Sequence, residues 1–478
     1  MCTVAPAMIP RLRDTPRLPL ILLAIVSVLS LGARVALLGE PCQSPCRTAD
    51  QHTLIFDEAY YVNAARVIAG IRPPAGSHYA QAPLGTDPNA EHPQLAKLVM
   101  AGAIELFGDG PLAWRIGSLI AGTIAILGMF ALVRAAGGGP RTALGASILM
   151  ACDNLLLIHG RIGTLDIYAV AAMIWALTLY LRGQPLGAGI VLAIGSACKL
   201  VAPYLLAVLV LLELGRVLLW ARDDSAPEDW TVLPALRRLF ICGFSAAGIF
   251  MAVLAIMDQI ATPYNDAAGQ LITGGAFAHF GHMVSYASNL NSPNGPQGIA
   301  SYPWYWLVDL KPITYLRINP SLPGGGLYAI HPVSKFLGFV SPPVLAAGVL
   351  ALPFALWRLV RLPRVASAPG APAAPSTDPA GGSPARVPRM SGDAPLALVG
   401  IAWFLGTWIP FALLSLVDQR TSYLYYMVVV MPGLYVTGIW LTSQAWRLRR
   451  RWSRGLVLAW ALTVLVAVVL LYPFVPVV

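Results

Sequence analysis

Two adjacent acids, Asp57 and Glu58, open the segment FDEAYYVNAARVIAG, and five more charged residues, Arg115, Asp153, Arg161, Asp166 and Lys199, recur further along in apolar surroundings. A carboxylate beside a membrane surface can ionise, take a proton from a hydroxyl and hold hydroxyl groups, so the pair has the chemistry of a general base and its neighbour. Acids in a first helical turn also serve as plain caps, and that reading stands beside the chemical one. Arginine and lysine near the ends of apolar segments can hold an anionic group or simply reach for the interface. A charge at membrane depth costs at least ~2.5 kcal/mol by insertion scales, and five of them near one face make snorkelling a poor account of the set. Trp304, Tyr305 and Trp306 offer faces for stacking on a ligand, or anchors at the interface. His52, Glu91 and His92 could approach a metal, but their spacing around a loop is that of ordinary polar residues, and no metal site or cofactor is expected. His279 and His282 give a weaker signal still.

The elements that must position these groups are helices in a bilayer. Of the 478 residues 57% are hydrophobic and 11% charged, and the mean hydropathy is +0.67, which excludes an ordinary soluble domain. Apolar runs long enough to cross a ~30 Å hydrocarbon core recur throughout. Eleven are read, at 18–38, 111–133, 141–159, 163–181, 186–203, 204–220, 239–257, 336–357, 396–416, 421–441 and 455–472. Treating 186–220 as two spans places 20 of the 32 Lys and Arg, but only 8 of the 22 acids, on one face. By the positive-inside rule that face and the N-terminus are cytoplasmic. The net charge of +10 is therefore topology and not a nucleic-acid surface.

The first span is too long for a signal-peptide core and is read as retained. Two long segments, 39–110 and 258–335, lie outside, and chemistry is expected there. The first holds two interfacial helices. One follows Asp57 with Tyr60, Ala64, Val67 and Ile68 on one face; the other runs through HPQLAKLVMAGAIELFG from Pro93 to Gly108. Cys42 and Cys46 are placed for a disulfide. Residues 361–393, rich in Pro, Ala, Gly and Ser, read as a disordered cytoplasmic linker. It separates a transmembrane catalytic region, 1–360, from a three-helix C-terminal region, 394–478.

These motifs, in this order, resemble the protein O-mannosyltransferases, members of the GT-C superfamily of polytopic glycosyltransferases. FDEAYYVNAAR, with Asp57, Glu58, Tyr61 and Arg66, is similar to the family's first-loop motif. HPQLAK resembles HPPLGK, keeping His92, Pro93, Leu95 and Lys97 but carrying Gln94 and Ala96 for Pro and Gly. Trp114–Arg115 matches the WR that follows. Asp153, Arg161 and Asp166 in DNLLLIHGRIGTLD match its D, R and LD, with Gly160 where serine is usual, and IGSACKL supplies Lys199. ASYPWYWLVDLKPITYL is similar to the Trp-rich stretch of bacterial members. The second outside segment is too short for the carbohydrate-binding insertion of the eukaryotic enzymes.

The resemblance implies an all-α polytopic membrane enzyme of the bacterial plasma membrane with its active site on the outer face. The implied donor is a polyprenyl-phosphate-linked sugar, most simply mannose, and the implied acceptor a Ser or Thr hydroxyl of an exported protein, close to the secretion translocon. Transfer would invert the anomeric centre. Asp57 would be the base and Glu58 would bind sugar or peptide. Arg161 and Lys199, with Arg115 and Lys97 supporting, would hold the donor phosphate. Tyr61, His92, Asp153, Asp166, Trp304, Trp306 and Arg420 are further site candidates. A transferase acting on a lipid or cell-wall polymer, of aminoarabinose or arabinosyl type, and a polyprenyl-phosphate lipid transporter are the alternatives. The topology has a direct test: a single cysteine at Ser376 should resist an impermeant thiol reagent in intact cells, whereas Cys42 should react once reduced. Labelling at 376 would overturn the map.

Overall fold

The computed structural model describes residues 16–42, 47–221, 228–317, 335–361 and 394–472. Cys46 and nearly all of the 361–393 segment lie outside the described residues. Seven helices are long and apolar enough to cross a membrane: α1 (Arg17–Val35), α4 (Pro111–Ala135), α10 (Val232–Ile260), α12 (Pro342–Val360), α13 (Ala394–Val417), α14 (Met427–Arg447) and α15 (Arg451–Leu471). Shorter apolar helices lie among them. The run expected at 141–159 is α5 (Pro140–Ala151) and α6 (Asn154–His159), broken where Asp153 turns its carboxylate onto the N–H groups of Leu155 and Leu156 (2.8 and 3.2 Å). That is an N-cap bond. The next runs are α7 (Asp166–Leu181), α8 (Pro185–Cys198) and α9 (Tyr204–Trp220); the last two are separate helices because the chain turns over Lys199–Pro203. The run expected to begin at Phe336 instead starts with a strand, β5 (Lys335–Gly338), paired with β4 (Ile313–Arg317).

Helices cross closely where glycine removes the side chain between them. A Cβ on Gly406 of α13 would stand 2.5 Å from the backbone nitrogen of Val208 in α9, and one on Gly433 of α14 would stand 2.8 Å from the backbone nitrogen of Phe404 in α13. Since neither obstacle is a flexible side chain, the crossing would have to open. Gly160, where the family's serine is absent, lies beneath Arg34: a Cβ there would come within 3.1 Å of that guanidinium. Arg34 is buried at the end of α1 and donates to the carbonyls of Ser30 and Leu119 and to Thr123 Oγ1.

One end of the bundle carries α2 (Glu58–Ile68) and α3 (Leu95–Phe107). α2 is largely enclosed, whereas α3 leaves Val99, Leu106 and Phe107 exposed. α2 buries Tyr61 through Val67, leaving Tyr60 40% exposed, so the expected one-sided face is too narrow a description. α3 begins two residues after Pro93 and stops at Gly108, which takes φ +81°. The loop between α2 and α3 joins the second outside segment through β1 (Thr86–Asp87), parallel to β2 (Thr262–Asn265), which pairs in turn with β3 (Gln270–Leu271). α11 (Gly275–Asn289) closes this end.

Gly406→Ala should lower stability by about 1–3 kcal/mol, the usual cost of overpacking a tight contact. Gly32→Ala, where a Cβ meets nothing within 4 Å, should be neutral or slightly stabilising. Thermal midpoints of the two purified variants check this, and equal midpoints would contradict the crossing.

Candidate active site

A cavity of about 810 Å³ opens between the helix ends on the α2–α3 side of the bundle. Asp57, Tyr61, Glu91 and His92 from the first outside segment line it, with Lys199 and Tyr204 from the α8–α9 turn, Tyr286 and Met283 from α11, and Arg420 with Tyr423, Tyr425 and Tyr426 from the α13–α14 loop. An apolar flank is made by Leu200, Val201, Phe280, Val284, Phe411 and Leu414. A cavity lined by charged and polar side chains and by an apolar flank suits an amphiphile.

Asp57 and Glu58 face opposite ways. Phe56, immediately before them, has φ +55°, a left-handed conformation uncommon for a bulky residue, and its ring stacks on Tyr315 with centroids 4.1 Å apart. The chain then enters α2 with Glu58 fully buried. Its Oε1 and Oε2 each accept from Arg115 at 2.8 Å, and it also accepts from the backbone N–H of Ile55 and of Gly163 (2.8 and 2.7 Å). Asp57 sits at the N-cap position yet makes no capping bond. Its carboxylate has no hydrogen-bond or ion-pair partner among the described residues and lies on the cavity wall. Burial pushes its pKa up to about 7, the charge of Lys199 opposing that shift and Asp166 adding to it. A half-buried, unpaired carboxylate near neutrality is poised as a base.

The cations divide the same way. Lys199 lines the cavity with its ammonium 2.7 Å from Asp166 Oδ1 and 5.3 Å from the centre of the Tyr425 ring. Behind it, Asp166 Oδ2 faces His159 Nδ1 at 3.7 Å, and His159 Nε2 meets the Tyr315 hydroxyl at 2.8 Å. Arg420 also reaches the cavity; it donates to the Ala287 carbonyl, and its buried Nε has no partner among the described residues.

Three other predicted anion ligands are committed elsewhere. Arg161 gives Nη1 to the carbonyls of Arg34 and Ala36 (3.0 and 2.6 Å) and Nη2 to that of Leu37 (2.5 Å), closing the C-terminal end of α1. Arg115 is held by Glu58 and by the Leu38 carbonyl. Lys97 is fully buried on Asp87 Oδ2 (2.6 Å) and the carbonyls of Asn89 and His92 (2.5 and 2.9 Å). None of the three lines the cavity. Asp153 is a helix cap, and Asp166 supports Lys199 from below. Trp306 is buried between Phe411 and Tyr426 with Nε1 on Ser301 Oγ at 2.9 Å, while Trp304 stacks on Tyr302 at 4.5 Å; neither reaches the cavity.

His92 does. Its ring stands edge-on to Tyr61 at 5.8 Å and to Tyr286 at 6.5 Å. Burial, then the charges of Lys199, Lys97 and Arg420, hold it well below the usual imidazole range, hence neutral. His52 lies apart, its Nδ1 on the Gly39 carbonyl at 2.7 Å, and among the described residues no three metal-binding side chains gather. The sequence reading missed the tyrosines of the α13–α14 loop, although SYLYY, one residue beyond Arg420, is a visible aromatic cluster. It also weighed Glu91 only as a metal ligand.

The family model described as dolichyl-phosphate-mannose-protein mannosyltransferase matches residues 91–243. A polyprenol-phosphate-mannose–protein mannosyltransferase of Corynebacterium glutamicum is 35% identical over 159 residues, 32% of this chain and 29% of that protein. The enzyme of the same name from Mycolicibacterium smegmatis is 23% identical over 388 residues, 70% of this chain and 71% of its own length. The structure of the Saccharomyces cerevisiae protein O-mannosyltransferase Pmt1–Pmt2 complex bound to the sugar donor superimposes with a TM-score of 0.67 at 13% identity, covering 98% of this chain and 91% of that one.

The geometry separates two neighbouring acids by experiment. Glu58→Gln leaves Arg115 buried without its counter-charge and should cost about 3–5 kcal/mol of stability. Asp57→Asn, which breaks no bond, should leave the thermal midpoint within about 1 kcal/mol of wild type. A large midpoint loss in Asp57→Asn would mean that this carboxylate is structural.

Proposed function

We propose that this chain, a relative of the polyprenol-phosphate-mannose–protein mannosyltransferases with their fold, moves a mannosyl group from a polyprenyl phosphate to a Ser or Thr hydroxyl of an exported protein. The observation that carries the reading is the cavity whose wall holds Asp57, a carboxylate without a partner among the described residues, together with two cations, Lys199 and Arg420, beside an apolar flank. The flank suits the first units of a prenyl chain. The two cations suit a phosphate that gathers charge as it leaves, so no acid is required on the leaving group. Asp57 takes the proton of the acceptor hydroxyl as that oxygen attacks the anomeric carbon, and a single displacement inverts the centre. Asp166 acts through Lys199 by fixing its ammonium at 2.7 Å.

The reading extends to topology. The seven long helices, with α5–α6 taken together and α7, α8 and α9, give eleven crossings. The N-terminus is then cytoplasmic, and the cavity faces outward, where a lipid-borne donor and an emerging protein meet. The helix ends away from the cavity carry Arg134, Arg182, Arg216 and Arg447, which supports that orientation.

Purified protein incubated with labelled polyprenyl-phosphate-mannose and a Thr-rich peptide should place label on the peptide through an alkali-labile O-linkage. Label in lipid alone would favour the lipid-acceptor reading. Turnover should rise with pH through about 7, because the base works only when deprotonated and burial has raised Asp57 to about 7. Asp57→Asn should lose about 10²- to 10⁴-fold in rate with unchanged affinity for the lipid phosphate, and its residual rate should lack that pH limb. Near-wild-type turnover in Asp57→Asn would remove the mechanism.

A further inference from the structure

A second carboxylate on the cavity wall is not used by the mechanism above. Glu91 lines the cavity next to His92, makes no ion pair, and has no hydrogen bond to another residue among the described ones; its one hydrogen-bonding neighbour is its own backbone N–H. Burial raises its pKa, and the ammonium of Lys97 opposes the shift. Holding such a group half-buried and unmatched is unfavourable in the empty protein, which marks it as a residue that waits for a partner.

The backbone around Glu91 is fixed with unusual thoroughness. Lys97 donates to the carbonyls of Asn89 and His92 on either side of it (2.5 and 2.9 Å) and to Asp87. His279 Nε2 donates to the carbonyl of Ala90 at 3.0 Å, and its Nδ1 contacts Asp258 Oδ1 at 2.7 Å. Asn89 forms a β-bridge with Asn265. Gln94, two residues after His92, bonds the Asp258 side chain and the Ala261 carbonyl (3.0 and 2.8 Å). Lys97 of α3, His279 of α11 and Gln94 at the start of α3 therefore fix the backbone of residues 89–94, and the Glu91 and His92 side chains are left to the cavity.

We propose that Glu91 is a sugar-binding residue, its carboxylate accepting hydrogen bonds from hydroxyls of the donor's glycosyl group, with His92 beside it on the cavity wall as a second contact. The inference rests on the donor reading of the preceding section and names what that section leaves open, the group that grips the sugar. A carboxylate can accept two hydroxyls at once, which matches neighbouring hydroxyls on a pyranose ring. The rigid backing suits the part of the reaction that is the same in every turnover, the sugar, better than a variable peptide. His92 feels the charges of both Lys199 and Arg420, so this edge adjoins the phosphate end, where a sugar one bond from that phosphate must lie.

The test compares two probes on full-length protein, polyprenyl-phosphate-mannose and bare polyprenyl phosphate. Glu91→Ala should weaken binding of the mannosylated lipid by about 10- to 100-fold, the range for a lost charged hydrogen bond, and leave bare polyprenyl phosphate unchanged. Glu91→Gln, which keeps one acceptor, should fall between. Among mannosyl donors each lacking one hydroxyl, at least one should bind wild type about as weakly as Glu91→Ala binds the parent, and Glu91→Ala should not distinguish that donor from the parent. An equal loss for both lipids, no loss for either, or a defect confined to peptide KM would overturn the assignment. Wild-type protein that fails to prefer the mannosylated lipid sinks the donor reading itself, and this inference with it.

Discussion

The Glu58–Arg115 pair is the contact on which the site depends. Both side chains are buried, and two parallel bonds of 2.8 Å join them. The remaining capacity of Glu58 goes to the backbone N–H groups of Ile55 and Gly163, while Arg115 takes the carbonyl of Leu38. Five pieces of chain meet there: the end of α1, the approach to α2, the first turn of α2, the first turn of α4 and the loop before α7. A buried pair of this kind withstands desolvation when its remaining hydrogen-bonding capacity is matched, and each Glu58 oxygen accepts two bonds here. Its consequence for function is directional. With Glu58 locked inward and Phe56 held left-handed against Tyr315, the residue between them is turned to the cavity. Asp57 is free because its neighbour is not.

The same division runs through the other charges. Of the cations near the cavity end of the bundle, Arg34, Arg161, Arg115 and Lys97 spend their protons on carbonyls and carboxylates that join helices to loops. Lys199 and Arg420 keep a face toward open space. Sequence alone shows a positive residue near a membrane face; it does not show whether that residue is a rivet or a ligand. The distinction lies in which backbone carbonyls happen to be near, and those come from segments as far apart as residues 36 and 161. Arg161 and Arg115 read as phosphate ligands for this reason, and they are structural on the geometry. Glu58 read as a substrate ligand by the same logic.

What was legible in the sequence followed from short-range physics. Apolar runs, the stop at Gly108 and the turn between α8 and α9 are local, and each stands close to where composition put it. The break at Asp153 was not, because an acid in an apolar run can be a ligand or a cap, and only its bonds to Leu155 and Leu156 decide. The cavity itself was half legible. Asp57, Tyr61, His92 and Lys199 come from motifs, but the opposite wall is built from α11 and the SYLYY loop, more than a hundred residues away from the nearest of them for the latter. Gln94 and Gly160, which depart from the family pattern, look like erosion in a string of letters. In space Gln94 carries two bonds to the second outside segment, and Gly160 makes room for Arg34.

The balance of charge inside the cavity also bears on why one wall is acidic and another basic. Asp57 and Lys199 influence one another, and Lys199 is already neutralised in part by Asp166 at 2.7 Å. Without Asp166, Lys199 would act more strongly on Asp57 and draw its pKa down, making it a weaker base at neutral pH. With Asp166 in place, the ammonium still offers protons to an anion, while its field on Asp57 is reduced. One carboxylate below the lysine thus serves two ends: it keeps the base strong, and it fixes the cation where a departing phosphate would meet it. The His159–Tyr315 contact beneath, stacked in turn on Phe56, ties that cation to the same residue that orients Asp57. Base and cation are consequently positioned by one continuous chain of contacts, Asp57–Phe56–Tyr315–His159–Asp166–Lys199.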